Sequence, residues 1–273
     1  MTAIFDGAQV DDGAPLLSAR SRAVRYGDGV FETMRAYQGR PFALEQHLER
    51  LRASADWARL AWPPQESLAS EIERASRAVD ADAAVRVFLL RGEGPTLGES
   101  PTHRLVTAEP LPHGRELRSG TAIIAGGSPT TAGRAIKYMR YLPHLLAQDD
   151  ARARGAEEAL VCDADGRVVE GATSNVFAVI GGDLVTPAES SGILPGITRG
   201  VVLRLAAITG AGLRVAQRPI EPAELERASE LFITSSLREI FAITRVGART
   251  IGRGDAGPIT QQLHAAYRRL TGG

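Results

Sequence analysis

Residues 159–180 read Ala-Leu-Val-Cys-Asp-Ala-Asp-Gly-Arg-Val-Val-Glu-Gly-Ala-Thr-Ser-Asn-Val-Phe-Ala-Val-Ile, and this stretch decides the fold class. Ala159 to Cys162 and Val168 to Glu170 are apolar runs on either side of Asp163-Ala-Asp-Gly166, a hairpin signal. Asn175 to Ile180 is a further strand that turns at Gly181-Gly182. Strands that follow one another through tight turns, with no helix between them, predict α+β rather than a doubly wound parallel sheet.

Working outward, Thr121 to Ala125 reads as a strand followed by a Gly/Ser/Pro/Thr loop that leads to Lys137, and a helix follows from about Leu142 to Arg154. On the C-terminal side the pattern predicts a helix over Gly196–Ile208, strands over Leu213–Pro219, Leu231–Thr234 and Ile240–Val246, a short helix over Pro222–Arg227 and a closing helix over Ile259–Leu270. In the first half, Phe31–Tyr37 is a strand entering a Gln38-Gly39 turn. Leu44, Leu48, Leu51 and Ala55 recur at helical spacing within Ala43–Leu60. Pro63-Pro64 stops that helix, and another runs from about Gln65 to Val79. Ala84–Leu90 and Arg104–Leu111 are Val- and Leu-rich strands. Pro110-Leu-Pro-His-Gly114 breaks both periodicities and marks an interdomain linker. The expected division is a small domain over 1–112, a linker over 113–119 and a larger domain over 120–273.

A zero formal net charge gives no global field for nucleic acid or an anionic membrane. No apolar run approaches the ~18 residues needed to span a bilayer. The N-terminus lacks the basic-then-apolar pattern of a signal peptide, and a single cysteine, Cys162, excludes an internal disulfide, so a reducing cytoplasm is the expected location. Cys162 reads as a small buried strand residue. His103, His113, His144 and His264 show no metal-ligand spacing, and no metal is expected.

Of the 32 Lys+Arg residues only Lys137 is lysine. Arginine supplies surface charge and binds anions, but its guanidinium stays protonated. A lysine amine, once neutral, can attack an aldehyde and form an imine. Chance survival of one lysine explains the count equally well, so the amine must be weighed with its neighbours. Tyr138 and Tyr141 flank it, and a phenol there can hydrogen-bond a ring oxygen or simply pack. Glu170 ends a strand, where a carboxylate is either a solvated edge residue or the partner of a pyridine nitrogen. Gly196-Ile197-Thr198 opens a helix whose N–H groups favour an anion. Thr234-Ser235-Ser236 offers hydroxyls and amides, and Arg50 a charged fork. Each of these is also readable as a cap, a turn or a surface cation.

Taken together, Tyr26-Gly-Asp-Gly-Val-Phe-Glu-Thr-Met-Arg35, His47-Leu-Glu-Arg-Leu51, Ile136-Lys137, Glu170-Gly-Ala-Thr-Ser-Asn-Val-Phe177 and Leu194-Pro-Gly-Ile-Thr-Arg199 closely resemble the fold-type IV pyridoxal-5'-phosphate (PLP) enzymes. That family includes branched-chain, D-amino-acid and (R)-amine transaminases and 4-amino-4-deoxychorismate lyases, and the similarity runs from about Phe5 to Leu270. It implies a small α/β domain and a larger barrel-like one with PLP between them, commonly in a homodimer. By the resemblance, Lys137 is the catalytic Schiff-base lysine and Glu170 the partner of the pyridine nitrogen. Arg50, Ile197, Thr198 and Ser236 match phosphate-binding positions, Thr173 and Ser174 line the cofactor, and Leu194 supports its ring.

The positions that separate the subfamilies disagree. Thr33 replaces the glycine usual in branched-chain enzymes and looks more like the lyases. Arg91-Gly-Glu-Gly-Pro-Thr-Leu-Gly98 puts Thr96 and Gly98 where D-amino-acid transaminases carry an Arg-x-His carboxylate trap. Arg140 stands where the lyases often have Asn. Phe31, Thr33, Arg35, Arg91 and Arg140 are the candidate substrate contacts, the arginines for a carboxylate. The first expectation is amino transfer between an amino acid or amine, leaning to D-amino acids or (R)-amines, and a keto acid. A lyase releasing pyruvate and 4-aminobenzoate is the alternative, followed by a branched-chain L-amino-acid aminotransferase and then a non-catalytic binding domain.

Overall fold

The structure, a computed structural model, describes residues 1–112, 114–125, 136–208 and 213–272. The predicted loop over 126–135, and His113 with it, lie outside them. The described chain divides into two units. Residues 1–114 and 136–140 form the first, and residues 115–135 and 141–273 the second. Residues 136–140, around Lys137, group with the first unit rather than with the chain that flanks them.

The first unit is built on one antiparallel sheet. Its strands are β1 (Thr2–Phe5), β2 (Ala8–Val10), β3 (Gly29–Tyr37), β4 (Arg40–Pro41), β5 (Ala83–Arg91) and β6 (Thr102–Pro110), in the order β2-β1-β6-β5-β3-β4. A five-residue helix α1 (Arg22–Tyr26) precedes β3, while α2 (Leu44–Ala58) and α3 (Gln65–Arg77) cover one face. Alternation in β3 sends Val30, Met34 and Ala36 into a core with Leu48, Leu51 and Ala55 of α2 and Leu68 and Ile72 of α3. Phe31, Thr33 and Arg35 share the opposite face. Glu32 stands on the core side among apolar neighbours, where a carboxylate can persist only with cationic partners.

The second unit carries a nine-stranded mixed sheet. It comprises β7 (Arg118–Ala125), β8 (Glu158–Cys162), β9 (Val168–Gly171), β10 (Asn175–Ile180), β11 (Asp183–Thr186), β12 (Val215–Gln217), β13 (Ala228–Ser235), β14 (Glu239–Val246) and β15 (Arg249–Thr250). The order is β12-β11-β10-β13-β14-β7-β8-β9, with β15 on β14. Pairing is antiparallel except for β7 with β8, β7 with β14, and β11 with β12. Helices α4 (Leu142–Ala153), α5 (Ile197–Ile208) and α6 (Pro258–Leu270) complete it. The core gathers Val168, Val176, Ala178, Ile233 and Ile243, and the Phe177 and Phe232 rings stack at 5.0 Å. Hairpins form at 163–166 and 181–182 and the fold is α+β. The strand expected over Leu213–Pro219 shortens to Val215–Gln217; the Arg218 amide still donates to the Thr186 carbonyl of β11, after which Ile220 bridges Val168 instead. Cys162 is buried on β8.

Candidate active site

Lys137 is fixed to β3 by backbone. The Phe31 amide donates to the Lys137 carbonyl (3.1 Å), the Met139 amide donates to the Gly29 carbonyl (3.0 Å), and Tyr138 bridges Val30. The Lys137 Nζ lies 4.4 Å from the Phe31 ring centroid, and Phe31 stacks on Phe88 at 5.9 Å. An amine beside an aromatic wall is half-buried without being deprived of favourable contact when charged. Gly29 is required here, since a Cβ would stand 2.7 Å from the Leu89 carbonyl oxygen and 2.8 Å from Met139 Sδ.

Behind β3, Glu32 is fully buried and accepts hydrogen bonds from Arg50 Nε (2.7 Å) and Nη2 (2.8 Å) and from His47 Nδ1 (2.7 Å). Burial alone would raise this carboxyl. The charge of Arg50 and the hydrogen bonds from Arg50 and His47 outweigh it and hold Glu32 well below the usual carboxylate range. His47 is pushed down, first by its burial and then by the nearby positive charges of Arg50 and Lys137, against the pull of Glu32. A neutral imidazole donating from Nδ1 fits that balance. Arg50 is thus half of a planar bidentate pair.

The remaining first-unit candidates separate. Thr33 is half-buried on the Phe31 face, opposite Arg86. Arg35 is buried, pairs with Asp82 (2.9 Å) and lies over the Tyr37 ring. Arg140 is exposed. Arg91 corrects the expectation of a substrate contact. Its guanidinium is buried, pairs with Asp28 (3.0 Å), and donates to the carbonyls of Arg59 (3.0 Å), Leu97 (2.6 Å) and Ala58 (2.5 Å). A cation so fully engaged clamps the end of β5 to the end of α2 and leaves a carboxylate nothing to bind.

In the second unit one residue draws several candidates together. Asn175 starts β10 opposite Thr234 of β13, and its Nδ2 donates to the Leu194 carbonyl (2.9 Å) in the turn before α5. The Leu194 amide donates to Glu170 Oε2 (3.2 Å). Glu170, Leu194, the opening turn of α5 with Ile197 and Thr198, and the Thr234-Ser235-Ser236 turn are therefore consecutive neighbours. At Gly196 a Cβ would come 1.9 Å from Asn175 Oδ1, so only glycine lets the turn pass. Arg199 is buried in the first turn of α5 and donates to the Pro187 carbonyl (2.8 Å) and Gln217 Oε1 (2.9 Å), anchoring the helix start. Thr173 is half-buried and Ser174 buried on the loop after β9. Tyr141 opens α4 and stacks on His144 at 4.6 Å.

This donor set suits a phosphate-bearing aromatic aldehyde. The first N–H groups of α5 have no partner within the helix. The Thr234 hydroxyl is buried without a hydrogen-bond partner among the described residues. A buried carboxylate, Glu170, adjoins that turn, and the chain has one lysine. Among the described residues no His/Cys/Asp/Glu group is arranged to hold a metal ion, and no helix is long and apolar enough to cross a membrane. Pattern reading missed Glu32, His47 and Glu158. The available signal was a carboxylate at a core-facing strand position, which demands a cation nearby.

Comparison with known proteins agrees with this chemistry. The amino-transferase class IV family matches residues 29–246. A putative branched-chain-amino-acid aminotransferase of Methanocaldococcus jannaschii is 33% identical over 280 residues, covering 99% of this chain and 96% of that protein. The D-alanine aminotransferase of Bacillus licheniformis is 29% identical over 277 residues, covering 98% and 96%. The crystal structure of the T.th. branched-chain amino acid aminotransferase complexed with N-(5'-phosphopyridoxyl)-L-glutamate superposes with a TM-score of 0.88 at 29% identity, covering 99% of this chain and 94% of that one.

Proposed function

The chain belongs to the class IV amino-transferases, PLP-dependent enzymes of fold type IV, and from that premise we propose that it moves an amino group between an apolar α-amino acid and an α-keto acid, with Lys137 as the amine that binds the cofactor. One observation carries this reading: the only lysine of the chain is held by backbone hydrogen bonds against β3, with its Nζ over Phe31.

Bound PLP supplies an electron-withdrawing ring that acidifies the carbon bearing the substrate's amine. Lys137 would hold the cofactor through its amine and, with substrate bound, would serve as the general base that takes the proton from that carbon. Glu170 holds the proton on the pyridine nitrogen. Ile197 and Thr198 receive the phosphate at the start of α5, with Ser235, Ser236 and Arg50 as further donors. Tyr141 meets the ring oxygen, Thr173 and Ser174 line the cofactor, and Leu194 supports its ring.

An apolar amino donor follows from the Phe31–Phe88 wall beside the amine, and the relatives named for branched-chain substrates point the same way. The D-amino-acid reading has the D-alanine aminotransferase relative in its favour; the residues after β5 do not reproduce that subfamily's Arg-x-His trap. Borohydride reduction with peptide mapping should place the cofactor on Lys137, and Lys137→Ala should abolish transfer. An unlabelled Lys137 overturns the reading. Half-reactions with L-leucine, D-alanine and (R)-1-phenylethylamine, run beside aminodeoxychorismate, decide the donor. Release of 4-aminobenzoate with no amine transfer would assign a lyase instead. A homodimer is the assembly we propose, to be checked by light scattering.

A further inference from the structure

We propose that Glu158 is a positioning residue that ties the Gly171–Ser174 loop to the Ser235–Arg238 turn, so that the two segments present their cofactor-facing groups as one rigid piece. The inference rests on the proposed roles of Ser174, Ser235 and Ser236 at the cofactor.

Glu158 opens β8 and is wholly buried, whereas its neighbour Glu157 is exposed. Taking a carboxylate out of water costs several kcal/mol unless hydrogen-bonded partners compensate. Its partners come from two separate segments. Ser174 Oγ donates to Oε2 at 2.9 Å and Arg238 Nη1 donates to the same oxygen at 3.2 Å. The Ala159 amide donates to Oε1 at 3.1 Å. Arg238 reaches a second point of the strand, the Glu157 carbonyl, at 3.2 Å.

Each tethered segment is itself closed. The Gly171 amide donates to the Ser174 carbonyl (2.7 Å), and a Cβ on Gly171 would stand 2.1 Å from Ser174 Oγ and 3.1 Å from Glu158 Cδ. The Arg238 amide donates to Ser235 Oγ (3.2 Å). Movement of Ser174 or of the turn that begins at Ser235 must therefore pull on the one carboxylate they share. Burial pushes Glu158 up, while Arg238 and Ser174 act to keep it charged. Loss of either partner weakens the hold on the other.

A carboxylate that only staples the fold would change stability alone. A positioning residue also couples the two segments, and that coupling is measurable. Apo-protein carrying Glu158→Gln, Ser174→Ala, Arg238→Ala, or Ser174→Ala with Arg238→Ala is titrated with PLP, and hydrogen exchange is followed in peptides covering 171–176 and 234–239. The expected result is that each single change loosens PLP binding by about tenfold, that the double variant binds no more weakly than Glu158→Gln, and that exchange quickens in both peptides whichever segment is altered. Exchange confined to the altered segment, with additive losses of affinity, would overturn the proposal even if PLP binds normally. Should Glu158→Gln not fold, the Ser174 and Arg238 variants carry the same test. A wild-type protein that binds no PLP defeats the parent reading; the exchange result in apo-protein still decides whether Glu158 couples the segments.

Discussion

Glu32 holds Arg50 from inside the first-unit core, with Nε at 2.7 Å from one carboxylate oxygen and Nη2 at 2.8 Å from the other. The pair lies on the face of β3 opposite Phe31, so the strand that backs the lysine also fixes the guanidinium.

Replacing Glu32 by Gln should cost about 3–5 kcal/mol, the usual penalty for leaving one member of a buried ion pair uncompensated. The pH dependence has a definite sign. The folded-state pKa of Glu32 is depressed, so its contribution is complete above the unfolded carboxylate value of about 4.3 and fades as pH falls below it. The gap in urea stability between wild type and Glu32→Gln should therefore be full at pH 7 and narrow below about pH 4. A gap that widens on acidification contradicts the assignment.

Arg91→Met should behave as a scaffold lesion. Asp28 is left with Arg22 alone and three carbonyls lose a donor, and a loss of about 3 kcal/mol or more is expected. The KM for the keto acid, measured on the folded fraction at low temperature, should stay within about threefold of wild type, under 1 kcal/mol. A KM rise of about a hundredfold with an unchanged melting temperature would return Arg91 to the substrate.

Gly196→Ala tests the turn before α5. The added methyl meets Asn175 Oδ1, so the Asn175–Leu194 hydrogen bond must break and the helix start shift. PLP affinity should fall at least about tenfold, or ~1.4 kcal/mol, while Gly200→Ala, where the nearest atom is the flexible tip of Arg204 at 3.7 Å, should bind as wild type does. Fluorescence titration of both variants makes the comparison.

Glu230 of β13 accepts from the Ile259 amide (2.9 Å), the Thr260 amide (2.7 Å) and the Thr260 hydroxyl (2.6 Å) at the start of α6. It serves as a cap supplied from the sheet, where the helix end favours an anion. Glu230→Ala should lower stability by about 1–3 kcal/mol and leave kcat unchanged below the melting transition. A fall in kcat with stability intact would assign Glu230 another part.

The elements that local pattern makes visible are those whose instructions are local. Leu44, Leu48, Leu51 and Ala55 specify one face of α2, Asp163-Ala-Asp-Gly166 specifies its own hairpin, and Asn175–Ile180 is bounded by the turns on either side. The β1–β2 hairpin also carries a local instruction, the two-residue Asp6-Gly7 turn between Phe5 and Ala8 with both residues at positive φ, but strands of four and three residues are too short for periodicity to flag them. The motif order is also what suggests one chemistry for the lysine, Glu170 and the α5 turn, a grouping we propose. Arg91 could not be sorted that way, because the carbonyls that occupy it belong to backbone at positions 58, 59 and 97. Glu157 and Glu158 look alike in a string of letters, yet Glu157 stands exposed before β8 while Glu158 opens a strand whose five residues are all buried.

The return of residues 136–140 to the first unit has a consequence for modularity. A fragment ending at 114 would lack the amine and the bridge between Val30 and Tyr138, and grafting the second unit onto a relative's first would carry a foreign lysine segment against β3. Recombination between family members at that boundary therefore transplants the proposed cofactor lysine without its wall, and productive chimeras should need a double crossover that exchanges 136–140 along with 1–114.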